Sequence, residues 1–194
     1  KGTDGSDNIS IFDPVTKKAI PGRSWISAGR QSALVFGPDG FLYSGYDGSS
    51  TINIINTQTK SIVGSISTNQ RVSALAFGPD GLLYKGYDGN NNIDIYDPVT
   101  KKAIPGRNFI SVGNRVSALA FGVDGFLYSG YDGSGNIKII NPQTKTVVGS
   151  ISTPRVSVLA MEIKTTGKQS VVSIELTLRA KNEYGKTNKQ FLKK

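Results

Sequence analysis

Short apolar runs broken by Gly, Asp and Pro dominate most of the chain. From Ala74 it reads ALAFGPDGLLYKGYDG, an apolar run, a Gly-Pro-Asp-Gly turn, a second apolar run and an Asp-Gly turn. Beyond it Ile93 and Ile95 alternate with Asn92 and Asp94, and a polar turn over 98–102 leads to a further apolar segment. Alternation with period 2 between such turns predicts strands at 73–77, 82–87, 92–96 and 103–111. Pro-Asp-Gly and Asp-Gly supply the φ values that tight turns need. No segment of this kind keeps a 3.6-residue period for ten positions, so no helix is expected.

The same pattern recurs. ALVFGPDGFLYSGYDG starts at Ala33, and ALAFGVDGFLYSGYDG at Ala118, with the Ala74 copy between them at spacings of 41 and 44 residues. A fourth copy opens at Val156 with VSVLAM and then departs from the pattern. Two kinds of segment alternate between the copies. NISIFDPVTKKAIPGR from Asn8 returns as NIDIYDPVTKKAIPGR from Asn92, and INIINTQTKSIVGSIST from Ile52 returns as IKIINPQTKTVVGSIST from Ile137. The period is therefore about 85 residues, made of two units of about 42. Four strands per unit, repeated, is the arithmetic of a β-propeller blade. The expected fold is all-β, a small β-propeller of four-stranded antiparallel blades.

The unit RVSALAFGPDGLLYKGYDG from Arg71, followed by NIDIYDPVT, resembles the YVTN and NHL families of bacterial propeller repeats and, more distantly, WD-type blades. The resemblance covers residues 1–161. It implies architecture far more than activity, because propeller blades serve enzymes, lectins and scaffolds alike.

The two ends suggest how a ring closes. Lys1-Gly2-Thr3-Asp4-Gly5 aligns with Lys85-Gly86-Tyr87-Asp88-Gly89, so the start of the chain supplies the end of one strand and then the two outer strands of a blade. Residues 156–161 supply an innermost strand. After a turn at 165–169, alternation over 170–181 predicts one amphipathic strand. Both ends then build one shared blade, giving four blades closed by both termini. The alternatives are part of a longer propeller, a larger ring shared by two copies, or a tail hairpin used for assembly. Composition also divides the chain near residue 161. Residues 1–161 carry 15 Lys/Arg and 11 Asp, whereas 162–194 carry 8 Lys/Arg against Glu162, Glu175 and Glu183. The reading is a repeat domain over 1–161 and a divergent basic segment over 162–194 that closes the last blade or mediates assembly.

The absence of Cys and His removes disulfides, thiolate or imidazole metal sites and Ser-His-Asp catalysis. No apolar run approaches the length of a membrane span. No leader is visible, and the chain opens at Lys1, not Met, as a processed chain would.

Aligned polar residues mark the candidate site. Arg30, Arg71, Arg115 and Arg155 each precede an innermost strand by three residues, and Asp4, Asp47, Asp88 and Asp132 each stand where the second strand ends. Antiparallel neighbours put both sets on one face of the ring. Two readings follow: Arg–Asp pairs that fasten blade to blade, or an axial anion site built from converging guanidinium groups. The Asp-Gly loops lack the spaced carboxylates of a calcium loop, so no metal and no cofactor is expected. The repeated tyrosines predict packing between blades, and Trp25, aligned with Phe109, could stack on a sugar. Mixed charge on the opposite turns argues against a nucleic-acid track.

The expected function is a non-enzymatic binding module of secreted or surface-exposed bacterial type, recognising a protein or glycan. Alternatives are a propeller enzyme of quinoprotein or lactonase type, which the arginine-rich axis and missing histidine disfavour, and a structural subunit of a filament or surface layer. In the last, copies of the chain join through the C-terminal strand.

Overall fold

The computed structural model describes residues 7–20, 25–106, 109–133, 135–153, Val156 and Leu159, together with the backbone of 162–165, 172–175, 178–181 and 187–190. Strands β1 (Asn8–Ser10) and β2 (Trp25–Ser27) pair antiparallel. The first four-stranded sheet holds β3 (Ala33–Phe36), β4 (Leu42–Gly45), β5 (Thr51–Asn56) and β6 (Ser61–Ser67). The second holds β7 (Ala74–Phe77), β8 (Leu83–Gly86), β9 (Asn92–Asp97) and an outer strand in two pieces, β10 (Lys102–Ala103) and β11 (Phe109–Ser111). The third holds β12 (Ala118–Phe121), β13 (Leu127–Gly130), β14 (Asn136–Asn141) and β15 (Thr146–Ser152). Two hairpins follow, β16 (Glu162–Thr165) with β17 (Val172–Glu175) and β18 (Leu178–Lys181) with β19 (Thr187–Gln190). Every pairing is antiparallel, and no helix occurs among the described residues.

Turn chemistry sets the register. Gly40, Gly81 and Gly125 close the turns after the innermost strands at φ of 79, 76 and 80°, which a side chain rarely adopts. On the outer turns the side chains of Asp13, Asn56, Asp97 and Asn141 accept two backbone N–H groups each, two and three residues ahead. Those bonds wind the chain so that Lys17, Lys60, Lys101 and Lys145 stand left-handed, at φ of 61, 57, 59 and 59°.

The three sheets stand side by side through their innermost strands, β7 lying between β3 and β12. All four residues of β4, β8 and β13 are buried. Tyr43 meets Phe77 of the next sheet edge-on at 4.9 Å, and Tyr84 meets Phe121 the same way. Valine fits onto glycine at the same seams. A Cβ on Gly45 would stand 2.2 Å from Val72 Cγ1, on Gly86 2.2 Å from Val116 Cγ1, and on Gly130 2.5 Å from Val156 Cγ1. Gly86→Ala is therefore expected to lower stability by about 1–3 kcal/mol, the range for an overpacked core. Combined with Val116→Ala it should cost less than the two single changes together. Urea denaturation of the three variants measures this coupling, and strict additivity would show that the seam is looser than the packing implies.

The first seam departs from the rule. Gln31 occupies the place of Val72, Val116 and Val156, is 2% exposed, and its side-chain amide has no hydrogen-bond partner among the described residues. Phe36, the equivalent of Phe77 and Phe121, is 62% exposed. The last seam keeps the rule, since Val156 is 2% exposed against the third sheet and Leu159 packs beside it.

Two expected strands take another form. The segment expected as one outer strand over 103–111 is β10 and β11, both paired with β9. Pro105 has no N–H to donate and Gly106 is left-handed at φ 70°, which lifts the chain off β9 between them. The strand expected over 170–181 is β17 and β18, each in its own hairpin. Period 2 reports which face a residue occupies and is blind to a change of partner. Among the described residues neither hairpin pairs with β1 or β2, and the inner strand expected over 156–161 lies mostly outside them.

Candidate functional site

Antiparallel pairing of β3 with β4, β7 with β8 and β12 with β13 brings the start of each first strand beside the end of each second one. Ser32, Ser73 and Ser117 donate their N–H groups to the carbonyls of Gly45, Gly86 and Gly130. They and the leucines two residues on (Leu34, Leu75 and Leu119) line a cavity of about 230 Å³ among the innermost strands, where Leu159 joins them. Arg30, Arg71 and Arg115 stand exposed two residues before these serines, at one mouth of that cavity. Arg155 and Asp4 lie outside the described residues.

Among the described residues, two of these arginines meet tyrosines. Arg30 donates to the Tyr46 hydroxyl at 3.0 Å and lies 5.8 Å from that ring's centroid, and Arg115 stands the same way over Tyr131 at 3.4 and 5.8 Å. The aspartates are engaged with the serines. Asp47 and Asp88 donate their N–H groups to Ser32 and Ser73 Oγ, and Ser117 Oγ donates to the Asp132 carboxylate. The arrangement presents cations backed by aromatic rings, a surface suited to an anionic group.

The opposite face is structural. Tyr43, Tyr84 and Tyr128 donate to the carboxylates of Asp39, Asp80 and Asp124 at 2.8, 2.9 and 2.8 Å. Burial and then the neighbouring carboxylate push the Tyr43 phenol upward and the Tyr128 phenol to about 12. Trp25 and Phe109 stand about half exposed at equivalent places on β2 and β11.

A third feature lies between the first two sheets, where sequence reading singled out nothing. Lys85 on β8 is 0% exposed and pairs with Asp94 on β9 at 2.8 Å. The cross-strand register makes them direct neighbours. The first sheet has Ser44 opposite Asn53 there and the third has Ser129 opposite Lys138. Tyr96, where the sister sheets have Ile55 and Ile140, donates its hydroxyl to Asn69 Oδ1 at 3.3 Å, and burial followed by the Asp94 charge raises its phenol to about 12. The signal was present in the repeats at Asp94: NIDIY stands against INII, IKII and the NISIF of the aligned first copy.

Neither a protein-family profile nor a curated protein sequence matches this chain. Among solved structures it is similar to a chain of Kuenenia stuttgartiensis hydrazine synthase, with a TM-score of 0.65 and 19% identity, over 97% of this chain and 61% of that one. At that identity the likeness concerns fold alone. The fold is propeller-like. This chain spans less than two thirds of its neighbour's length, and hydrazine synthesis is said of the neighbour only.

Proposed function

We propose that the chain is a non-enzymatic binding module, a small propeller of YVTN/NHL type that recognises an anionic group on a protein or glycan at its axial mouth. The observation that carries this reading is the arginine–tyrosine pair repeated at one mouth of the cavity among the innermost strands, Arg30 on Tyr46 and Arg115 on Tyr131, with Arg71 at the equivalent place. A guanidinium fixed on an aromatic ring keeps donors directed outward and loses little side-chain freedom when it binds. The ring has four blades, the fourth shared by both ends. Support comes from Leu159, which joins the leucines of the three sheets in that cavity, and from Gly130, which cradles Val156 as Gly45 cradles Val72.

The test is titration with a sulfated oligosaccharide and with its unsulfated parent. The sulfated form should bind in a salt-dependent way, and Arg71→Ala should weaken it about tenfold, as loss of one charged hydrogen bond does. Equal binding of both forms, or an Arg71→Ala variant that binds as well as the native chain, would remove the axial mouth as the site.

A further inference from the structure

We propose a second binding site, separate from the axial mouth, in the cleft between the first and second sheets, which takes a sugar unit bearing one carboxylate. The cleft has a volume of about 400 Å³ and is lined by Ser67, Asn69, Asp94, Tyr96, Lys101 and Lys102. That is room for a single sugar ring with its bound water, near the lower end of small-molecule sites.

Three observations converge on it. The first is where the repeats diverge. The second sheet replaces the serine of the first and third sheets by Lys85, their asparagine or lysine by Asp94 and their isoleucine by Tyr96; the copy at the start of the chain shares the lysine (Lys1) and an aromatic (Phe12) but has Ser10 where Asp94 stands. Asp94 and Tyr96 line the cleft, and Lys85 holds Asp94 from behind. A packing role alone was already met by Ser44, Asn53 and Ile55 in the first sheet. The second is the state of Asp94. Its carboxylate is bound by the buried Lys85 amine through Oδ2 at 2.8 Å, while its side chain keeps 12% exposure where it borders the cleft. Lys85 Nζ also reaches the Gln70 carbonyl at 3.4 Å, so the amine stays behind Asp94. The carboxylate is fixed in place and serves as an acceptor for hydroxyl groups. The third is the balance of the lining. Asp94 and the Asn69 carbonyl accept, Ser67 does both, and the exposed Lys101 and Lys102 bring positive charge to the rim. The Lys101 amine lies over Gly64 of the first sheet, 2.9 Å from where a Cβ would stand, so it reaches across the cleft. Acceptors set beside cations select a ligand with both hydroxyls and a negative group, and the buried Tyr96, 4% exposed, borders the cleft.

The probe is glucuronic acid, compared with glucose and inorganic phosphate by saturation-transfer NMR and calorimetry. Glucuronic acid should bind saturably and about tenfold tighter than glucose, the value of one charged hydrogen bond, and phosphate should not displace it. Two variants take the sister sheets' residues, which that architecture accommodates: Tyr96→Ile, and Lys85→Ser with Asp94→Asn. Each should weaken glucuronic acid at least about tenfold. The chain carrying Arg30→Ala, Arg71→Ala and Arg115→Ala together should bind it as the native protein does, which separates this site from the axial one. No saturable binding, displacement by phosphate, binding unchanged in both sister-residue variants, or loss on the arginine substitutions would each overturn the proposal.

Discussion

Asp94→Ala is expected to destabilise the protein by about 3–5 kcal/mol, the cost of leaving one member of a buried ion pair without its partner. Lys85 is 0% exposed, and its ammonium group is held by Asp94 Oδ2 at 2.8 Å and the Gln70 carbonyl at 3.4 Å. Without the carboxylate the buried amine keeps only the weak Gln70 carbonyl as acceptor, which favours the unfolded chain. Lys85→Ser combined with Asp94→Asn restores the pair found in the first sheet, Ser44 opposite Asn53, and should fall within about 1 kcal/mol of the native protein, because no charge is then buried. The contrast between single and double variants in urea denaturation is the decisive measurement. If Asp94→Ala costs less than about 1 kcal/mol, water reaches Lys85 and the pair behaves as a surface pair.

Tyr84→Ala should cost a similar amount, about 3–5 kcal/mol, as a large ring removed from a packed core does. Tyr84 is fully buried, meets Phe121 of the next sheet at 4.9 Å with the rings 71° apart, and donates to Asp80 at 2.9 Å. Tyr84→Phe keeps the ring and removes the hydroxyl, so it should lose only about 1–2 kcal/mol. Calorimetric melting of both variants separates the contributions. A Tyr84→Ala loss no larger than that of Tyr84→Phe would mean that the second and third sheets are held together by something other than this ring contact.

The axial mouth was half legible in advance. Alignment of the repeats placed Arg30, Arg71 and Arg115 on one face with Asp47, Asp88 and Asp132, and the antiparallel pairings put them at the same end of each sheet. What alignment could not supply was the partner. An arginine can reach a carboxylate or a phenol at that range, and Arg30 and Arg115 donate to the phenols of Tyr46 and Tyr131. Of the Lys85–Asp94 pair, Asp94 departs from every other copy of the repeat, whereas Lys85 has Lys1 as its counterpart. The pair was passed over because residues nine apart become neighbours only when the turn between them sets the register.

By itself the sequence determined what depends on local chemistry. Pro-Asp-Gly and Asp-Gly turns and strict alternation specify antiparallel four-stranded units, and copying the unit specifies copies of the sheet. The Asx turns also follow from local sequence, since each cap and the lysine it leaves left-handed lie within five residues. Tertiary structure alone decided what depends on distance across seams. It set valine on glycine at Val72 and Gly45, tyrosine edge-on to phenylalanine at Tyr43 and Phe77, and a cleft between two sheets that one changed blade lines with a carboxylate and a phenol. The reason is physical: a turn is settled by the φ preferences of a few adjacent residues, whereas a seam is settled by which side chains two separately formed surfaces bring within a few ångströms of each other.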